Sequence, residues 1–315
     1  MARPRNRLYD ALLAMVCLSF CHFTRLIPLG LARRLGRMMG RLAYYLIPRV
    51  RRVALENVRF AYGATLSSAQ QRAIARGAAE NMAIVAAEFS RLPDLHGEFL
   101  DRQVKFIGHE KIDRNRGVML IGAHLANWEW VAAIVRSQFP KVIEVVRPLD
   151  NQRMDAYVDR MRHSQGVETL GKDRAGTEVI RRLRAGEIVG LLADQSPREN
   201  GVPVQFFGKP CWATVAPVMA AVRARVPVVP VAMARNRDGS YTVSVGDPIE
   251  MTRTGNLHED LVSNSQRCQD AIEDGIRAHP EQWLWAHRRW KARPRLEAEW
   301  ANRTKRGSAP PAPSQ

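Results

Sequence analysis

Cysteine is scarce and carries no pattern, with four in 315 residues. Cys17 and Cys21 share one apolar run, Cys211 and Cys268 stand alone, and no CxxC or Cys/His cluster has metal-ligand spacing. Free thiols in a reducing compartment, with no metal centre, are therefore expected. No GxSxG occurs, so the serine-nucleophile elbow is missing as well. No RNP, helix-turn-helix or zinc-finger pattern is present, and nucleic acid is not the expected partner. No internal repeat appears. Lysine is rare too, seven against 41 arginines. The longest uncharged stretch of the N-terminus, Ala11–Thr24 between Asp10 and Arg25, has fourteen residues. That is short of the roughly 20 needed to cross a bilayer. It is also a poor secretory signal, because bulky Phe20 precedes Cys21 where a small residue belongs.

What is present is positive charge, unevenly spread. The chain carries +17, with 48 basic and 31 acidic residues. Residues 1–60 hold twelve arginines against Asp10 and Glu56. An acidic partner or surface follows from that excess. Beyond Ala11–Thr24, the segment Leu26–Ile47 sets Arg33, Arg37 and Arg41 on one helical stripe, with Leu35, Met38, Met39 and Leu42 mostly elsewhere. A basic amphipathic segment beside an apolar one suits an anionic membrane surface, at about 1 kcal/mol per basic residue near it. Such charge stays on the cytoplasmic side. The N-terminus thus reads as a tilted or half-inserted anchor, with a buried helix as the alternative.

Downstream, Ser67 with Gln70 three residues on predicts a capped helix, and Ile74, Ala78, Met82, Val85 and Phe89 follow at helical spacing until Leu92-Pro93. From residue 103 short apolar runs alternate with helical stretches at 151–165 and 174–185. The runs are VMLIGA (118–123), VIEVV (142–146), IVGLLA (188–193) and VPVVPVAMA (226–234), then YTVSV (241–245) before a helix near 257–278. Continuously apolar strands separated by helices predict an α/β fold, with a mixed, largely parallel sheet covered on both faces. The expected division is an N-terminal anchor and basic segment (1–63), an α/β domain (64–295) and a disordered tail (296–315).

The stretch GVMLIGAHLANWEW (117–130) holds the most chemistry. A strand runs out at Ala123, His124 follows, and a helix is expected to start near Asn127. On a continuous helix five residues would set His124 and Glu129 about 140° apart. On a strand–turn–helix corner they converge, at the carboxyl end of a strand where open α/β sheets place their sites. Glu129 then accepts from one imidazole nitrogen and fixes the tautomer, while the other takes a proton from an attacking hydroxyl. Lacking a protein nucleophile, such a pair suits direct transfer to a bound alcohol.

HLANWE resembles the HX4D/E motif of the lysophospholipid-type acyltransferases, in the Glu-ending form of the lipid A biosynthesis (lauroyl/myristoyl) acyltransferases. VVRPLDN (145–151), LLADQ (191–195) with FFGKP (206–210), VPVVPV (226–231) and PEQWLWAHRRWKARP (280–294) are similar to the family's later blocks, in order. Asn57 in the basic, apolar N-terminus fits too. The resemblance implies a glycerolipid-acyltransferase-like fold and transfer of a fatty acyl chain from acyl carrier protein to a hydroxyl of a lipid A precursor. The expected place is the cytoplasmic face of the inner membrane, against anionic phospholipid, with no cofactor. A lysophospholipid, ornithine lipid or glycosylated phosphatidylinositol acceptor, or an acyl-CoA donor, keeps the same chemistry. His124 and Glu129 are the candidate catalytic residues; Arg147, Arg162 and Asp194 are the candidate substrate-binding ones. Arg147 is the expected phosphate ligand. Asp194 ends an apolar strand, where an unpaired carboxylate is costly, and either holds Arg147 or caps the next loop. Ser196 stands where the family often has a second acid. His287, Arg288, Arg289 and Lys291 are candidates for a membrane- or carrier-facing surface, and Trp285 is expected in the core.

Overall fold

The computed structural model describes residues 7–171 and 175–307. Four helices come first: α1 (Arg7–Leu26), α2 (Leu29–Leu46), α3 (Pro48–Tyr62) and α4 (Ser68–Phe89). The α4 start carries the expected capping box, with the Gln70 amide on Ser67 Oγ at 3.3 Å and the Ser67 amide on Gln70 Oε1 at 2.8 Å.

The α/β unit follows as α5 (Gly97–Gln103), β1 (Val104–Ile107), β2 (Val118–Gly122), α6 (Trp128–Gln138), β3 (Val142–Val146), α7 (Gln152–His163), β4 (Glu168–Gly171), α8 (Ala175–Arg184) and β5 (Ile188–Leu192). It continues as β6 (Gly201–Phe206), β7 (Lys209–Thr214), α9 (Ala216–Ala224), β8 (Val228–Arg235), β9 (Tyr241–Val245), α10 (Leu257–Ala278) and α11 (Pro294–Gly307). Seven strands form one sheet in the order β1-β9-β8-β2-β5-β3-β4, parallel throughout except for the β8–β9 pair. The expected fold class thus matches in its α/β layering and its mixed, mostly parallel sheet. Alternate residues of each central strand feed two cores. Met119 and Ile121 pack with α8, α9 and α10, whereas Val118 and Leu120 pack with Ile134 and Val135 of α6. Each such aliphatic side chain contributes about 1.5–3 kcal/mol by leaving water.

Three parts differ from the expectation. Residues 201–206, outside every strand expected from the sequence, form β6 of a separate hairpin with β7. Its two-residue turn, Phe207 and Gly208, has both φ positive (55° and 65°), as twisted hairpins require. Phe207 holds that conformation because its ring is buried between Arg277, Trp283 and Trp285. Second, residues 294–307 are helical rather than disordered, since Leu296 is buried and Arg295 pairs with Glu299 at 2.8 Å one turn on. Residues 308–315 of the expected tail lie outside the described residues.

Third, α2 turns its arginines differently. Ala32, Gly36, Gly40 and Tyr44 form its buried stripe. A Cβ at Gly40 would stand 2.4 Å from Ala79 O, and one at Gly36 2.8 Å from Ala83 O, so the two backbones meet closely. Arg33 reaches inward to the buried Glu88 of α4, while Arg41 pairs with Glu80 of α4 at the surface and Arg37 stays exposed. Leu31, Met38, Met39, Leu42 and Leu46 face outward, continuing an exposed apolar surface from Leu12, Met15, Val16 and Phe23 of α1. Among the described residues no helix is long and apolar enough to cross a membrane. Gly40→Val should destabilise the protein by about 1–3 kcal/mol or more, because backbone rather than a pliable side chain opposes the new atoms. Thermal unfolding measures this, and an unchanged midpoint would refute the close approach.

Candidate active site

Parallel strands β2, β5 and β3 end side by side, and a chemically active residue follows each. His124 lies two residues past β2, Asp194 two past β5 and Arg147 directly after β3. The turn carrying His124 is tightly held. The Leu125 amide bonds Ala123 O at 2.7 Å, Ala126 has φ of 50°, and residues 125–127 are buried. The segment after α10 closes over it, with the Leu284 amide on His124 O at 3.1 Å and the Ala126 amide on Gln282 O at 3.0 Å.

His124 Nδ1 stands 2.8 Å from Asp194 Oδ1, and its backbone amide donates to Asp194 Oδ2 at 3.0 Å. The Trp283 indole donates to the same Oδ2 at 2.7 Å. Asp194 is 1 % exposed. Burial alone would raise its pKa, but the His124 charge and these hydrogen bonds bring it to about 2. Burial likewise works against the imidazolium, yet Asp194 first, then Glu129 and Glu144, lift the His124 pKa above an ordinary imidazole. With Nδ1–H turned to Asp194, Nε2 is the ring's basic nitrogen. Gln195 Nε2 lies 3.4 Å from it, and the Trp128 ring meets the imidazole edge-on at 5.3 Å.

Glu129, expected on the imidazole, instead takes both ends of the Arg162 guanidinium at 2.9–3.2 Å and the Trp128 indole at 3.1 Å. The first turn of α6 directs it toward α7, where a bidentate fork is a stronger partner than one ring N–H. The neighbouring strand β5 supplies the imidazole's carboxylate instead. Glu144 of β3 shares the same guanidinium at 3.3 Å. Burial and the Glu129 charge push Glu144 up to about 7 against the pull of Arg162.

Between the sheet and α6, next to this cluster, runs a narrow apolar slot past Gly122, Trp128, Val131, Val135, Gly190 and Val231. A Cβ at Gly190 would meet nothing nearer than Ile143 O at 3.9 Å. Glycine weakens a strand interior, so its presence here leaves unfilled room rather than relieving a clash.

The sequence model for bacterial lipid A biosynthesis acyltransferases matches residues 4–292. The chain belongs to this family. It is 31% identical over 197 residues to a lipid A biosynthesis acyltransferase of Haemophilus influenzae, covering 61% of each chain. It is 26% identical over 276 residues to the lipid A biosynthesis lauroyltransferase of Escherichia coli, covering 85% of this chain and 88% of that one. It is also 27% identical over 218 residues to a phosphatidylinositol mannoside acyltransferase of Mycobacterium tuberculosis, covering 65% and 66%. The chain thus spans about three fifths of the length of the Haemophilus relative and just under two thirds of the mycobacterial one. A solved structure, the 1-acyl-sn-glycerophosphate acyltransferase PlsC of Thermotoga maritima, superposes with a TM-score of 0.36 at 15% identity, over 80% of this chain and 99% of that one.

Within this family member, the structure brings His124, Glu129, Arg162 and Asp194 into one cluster. Arg147 stays apart, exposed and 3.6 Å from Asp150, so Asp194 does not hold it. Arg289, a candidate for an exterior basic face, is fully buried and donates to Trp212 O and Gln269 Oε1. His287 accepts the Ser196 amide at 3.3 Å, and burial pushes its pKa down to about 4. Trp285 is fully buried, as expected. The sequence reading missed Glu144, Gln195 and the Trp283–Asp194 contact. The specificity of the 280–294 block was the one available signal for the last.

Asp194→Asn removes the charge that lifts His124. The ring should then titrate at lower pH than in the wild type, measured by NMR of histidine-labelled protein. An unmoved titration would show that Asp194 does not govern the imidazole.

Proposed function

We propose that this chain transfers a fatty acyl group from the thioester of acyl carrier protein to a hydroxyl of a lipid A precursor, at the cytoplasmic face of the inner membrane. The observation that carries the reading is the His124–Asp194 pair, with Nε2 on the side away from the carboxylate and touched, among the described residues, only by the Gln195 amide at 3.4 Å, beside an apolar slot in a chain of the lipid A acyltransferase family.

In this reading the acceptor hydroxyl gives its proton to His124 Nε2 while its oxygen attacks the thioester carbonyl. Asp194 keeps Nδ1–H in place and stabilises the imidazolium. The tetrahedral oxyanion is met by the Trp128 and Glu129 amides of the first turn of α6, the Trp130 amide being taken by Asn127 O at 3.1 Å. Collapse breaks the C–S bond, and the departing sulfur recovers the proton from Nε2–H, leaving an ester and a free thiol. Arg162 fixes Glu129 and Glu144 beside the ring, so these carboxylates act on His124 through space. Arg147, exposed at the same carboxyl edge of the sheet just past β3, is the residue suited to a phosphate on the acceptor.

The outward apolar residues of α1 and α2 support a seat in the lipid surface, and the +17 charge suits both an acidic carrier and an anionic bilayer. A second reading changes only the acceptor: the mycobacterial relatives favour a mannosylated phosphatidylinositol or a similar membrane glycolipid.

Mass spectrometry of lipid extracts from cells lacking the gene, complemented with wild type or His124→Ala, tests the proposal. Lipid A should lose one acyl chain on deletion and regain it only with the wild type. Loss of a chain from another lipid would replace the acceptor, and restoration by His124→Ala would remove the general base. Gly190→Leu should fill the slot and cut transfer of the preferred chain by on the order of tenfold, favouring shorter chains. An unchanged acyl profile would show that the chain lies elsewhere.

A further inference from the structure

Among the described residues, three asparagines stand at the N-cap of a helix. Asn151 accepts the amides of Arg153 and Met154 at the start of α7, and Asn256 accepts those of His258 and Glu259 at the start of α10. Asn127, at the start of α6, makes no such bond. It is fully buried, its Oδ1 has no partner, and its Nδ2 donates to Glu88 Oε2 at 2.7 Å. An asparagine in this position ordinarily folds onto the second or third amide of the helix. Here the amide group is drawn the other way.

What draws it is a carboxylate outside the reacting groups. Glu88 of α4 is fully buried. Its Oε1 accepts from Arg33 of α2, and its Oε2 accepts from Tyr241 of β9 as well as Asn127, with Arg235 of β8 at 3.7 Å. Two guanidinium groups, a phenol and the Asn127 amide therefore face this carboxylate. An acceptor so placed binds the Asn127 NH₂ end and excludes its oxygen, which fixes the side chain away from α6. Asn81, two turns back on α4, holds the adjoining Ala126 carbonyl at 3.0 Å, so the turn is gripped from one helix at two points.

We propose that Glu88 is a positioning residue: by holding Asn127 off the α6 N-terminus, where the Trp130 amide is already taken by Asn127 O, it leaves the Trp128 and Glu129 amides open to the oxyanion of the acyl-transfer step. This rests on the acyl-transfer reading of the site. Arg33 ties the arrangement to α2, whose outer face is the apolar one.

The test uses the full chain in detergent micelles and two readouts. Amide hydrogen exchange of the peptide covering 124–135 is followed without substrate, and transfer is followed with an acyl-carrier thioester and a lipid acceptor. In Glu88→Gln the competing amide of glutamine weakens the grip, and Asn127 relaxes onto the helix. Exchange in that peptide should slow, while kcat falls on the order of a hundredfold with KM little changed. Removing the capping group in the double variant Glu88→Gln/Asn127→Ala should restore much of kcat. A merely structural role predicts the opposite exchange, faster and spread over α2 and α4, with no rescue; either result overturns the proposal. If Glu88→Gln fails to fold, Asn127→Asp serves instead. It cannot donate to Glu88 and should cap α6, with the same slower exchange and lower kcat, and faster exchange or an unaltered kcat overturns the proposal. Absence of transfer by the wild type would bring down the acyl-transfer reading alone, since the exchange readout decides where Asn127 sits.

Discussion

A carboxylate sealed from water at the end of β5 fixes the geometry of this site. Asp194 carries charge where an uncompensated one would cost several kcal/mol. It is tolerated because two N–H groups of His124, ring and backbone, and the indole of Trp283 converge on it. Those three donors come from two distant parts of the chain's path: the strand–turn–helix corner after β2 and the segment after α10. Satisfying one anion thereby locks the imidazole's tautomer, its orientation and the lid of aromatic residues above it. The raised His124 pKa and the depressed Asp194 pKa are two faces of that one contact.

Around it the structure spends further buried charge. Glu129 and Glu144 share Arg162, and Glu88 gathers Arg33, Arg235 and Tyr241. Such clusters are seldom the cheapest way to fill a core, since apolar side chains of similar volume do as well or better for stability. Their common location, one on each side of the turn at 124–129, points to alignment as their use. The collar helices belong to this arrangement: α4 grips the turn directly, and α2 reaches it through Arg33.

Much of the fold was legible because its signals are local. The apolar runs at 118–123, 142–146 and 188–193 fall on β2, β3 and β5, and Ser67 caps α4 as its sequence announces. What the sequence could not show is adjacency. The pairing of Gly122 with Leu192 brings Asp194 beside His124, and nothing in either segment alone specifies that pairing. Glu129 looked like the imidazole's partner because it is near in sequence; a residue 70 positions away holds that role. The hairpin at 201–214 was hidden by Pro203 and Pro210 in its strands. The inward turn of Arg33 on α2 was hidden because periodicity gives a stripe but not which side of the helix meets a neighbour. There Gly36 and Gly40 were the unread clue.

The closure of residues 280–290 over the turn that carries His124 has a consequence for how the protein comes into being. A ribosome delivers β2 and its histidine well before the Trp283 indole and the Leu284 amide that complete its surroundings. Until that last stretch emerges, Asp194 has lost one donor and the aromatic layer above it is missing. The site's geometry is therefore completed at the end of synthesis rather than with the sheet, and a prematurely released chain keeps its histidine without the donors and aromatic layer that hold it in place.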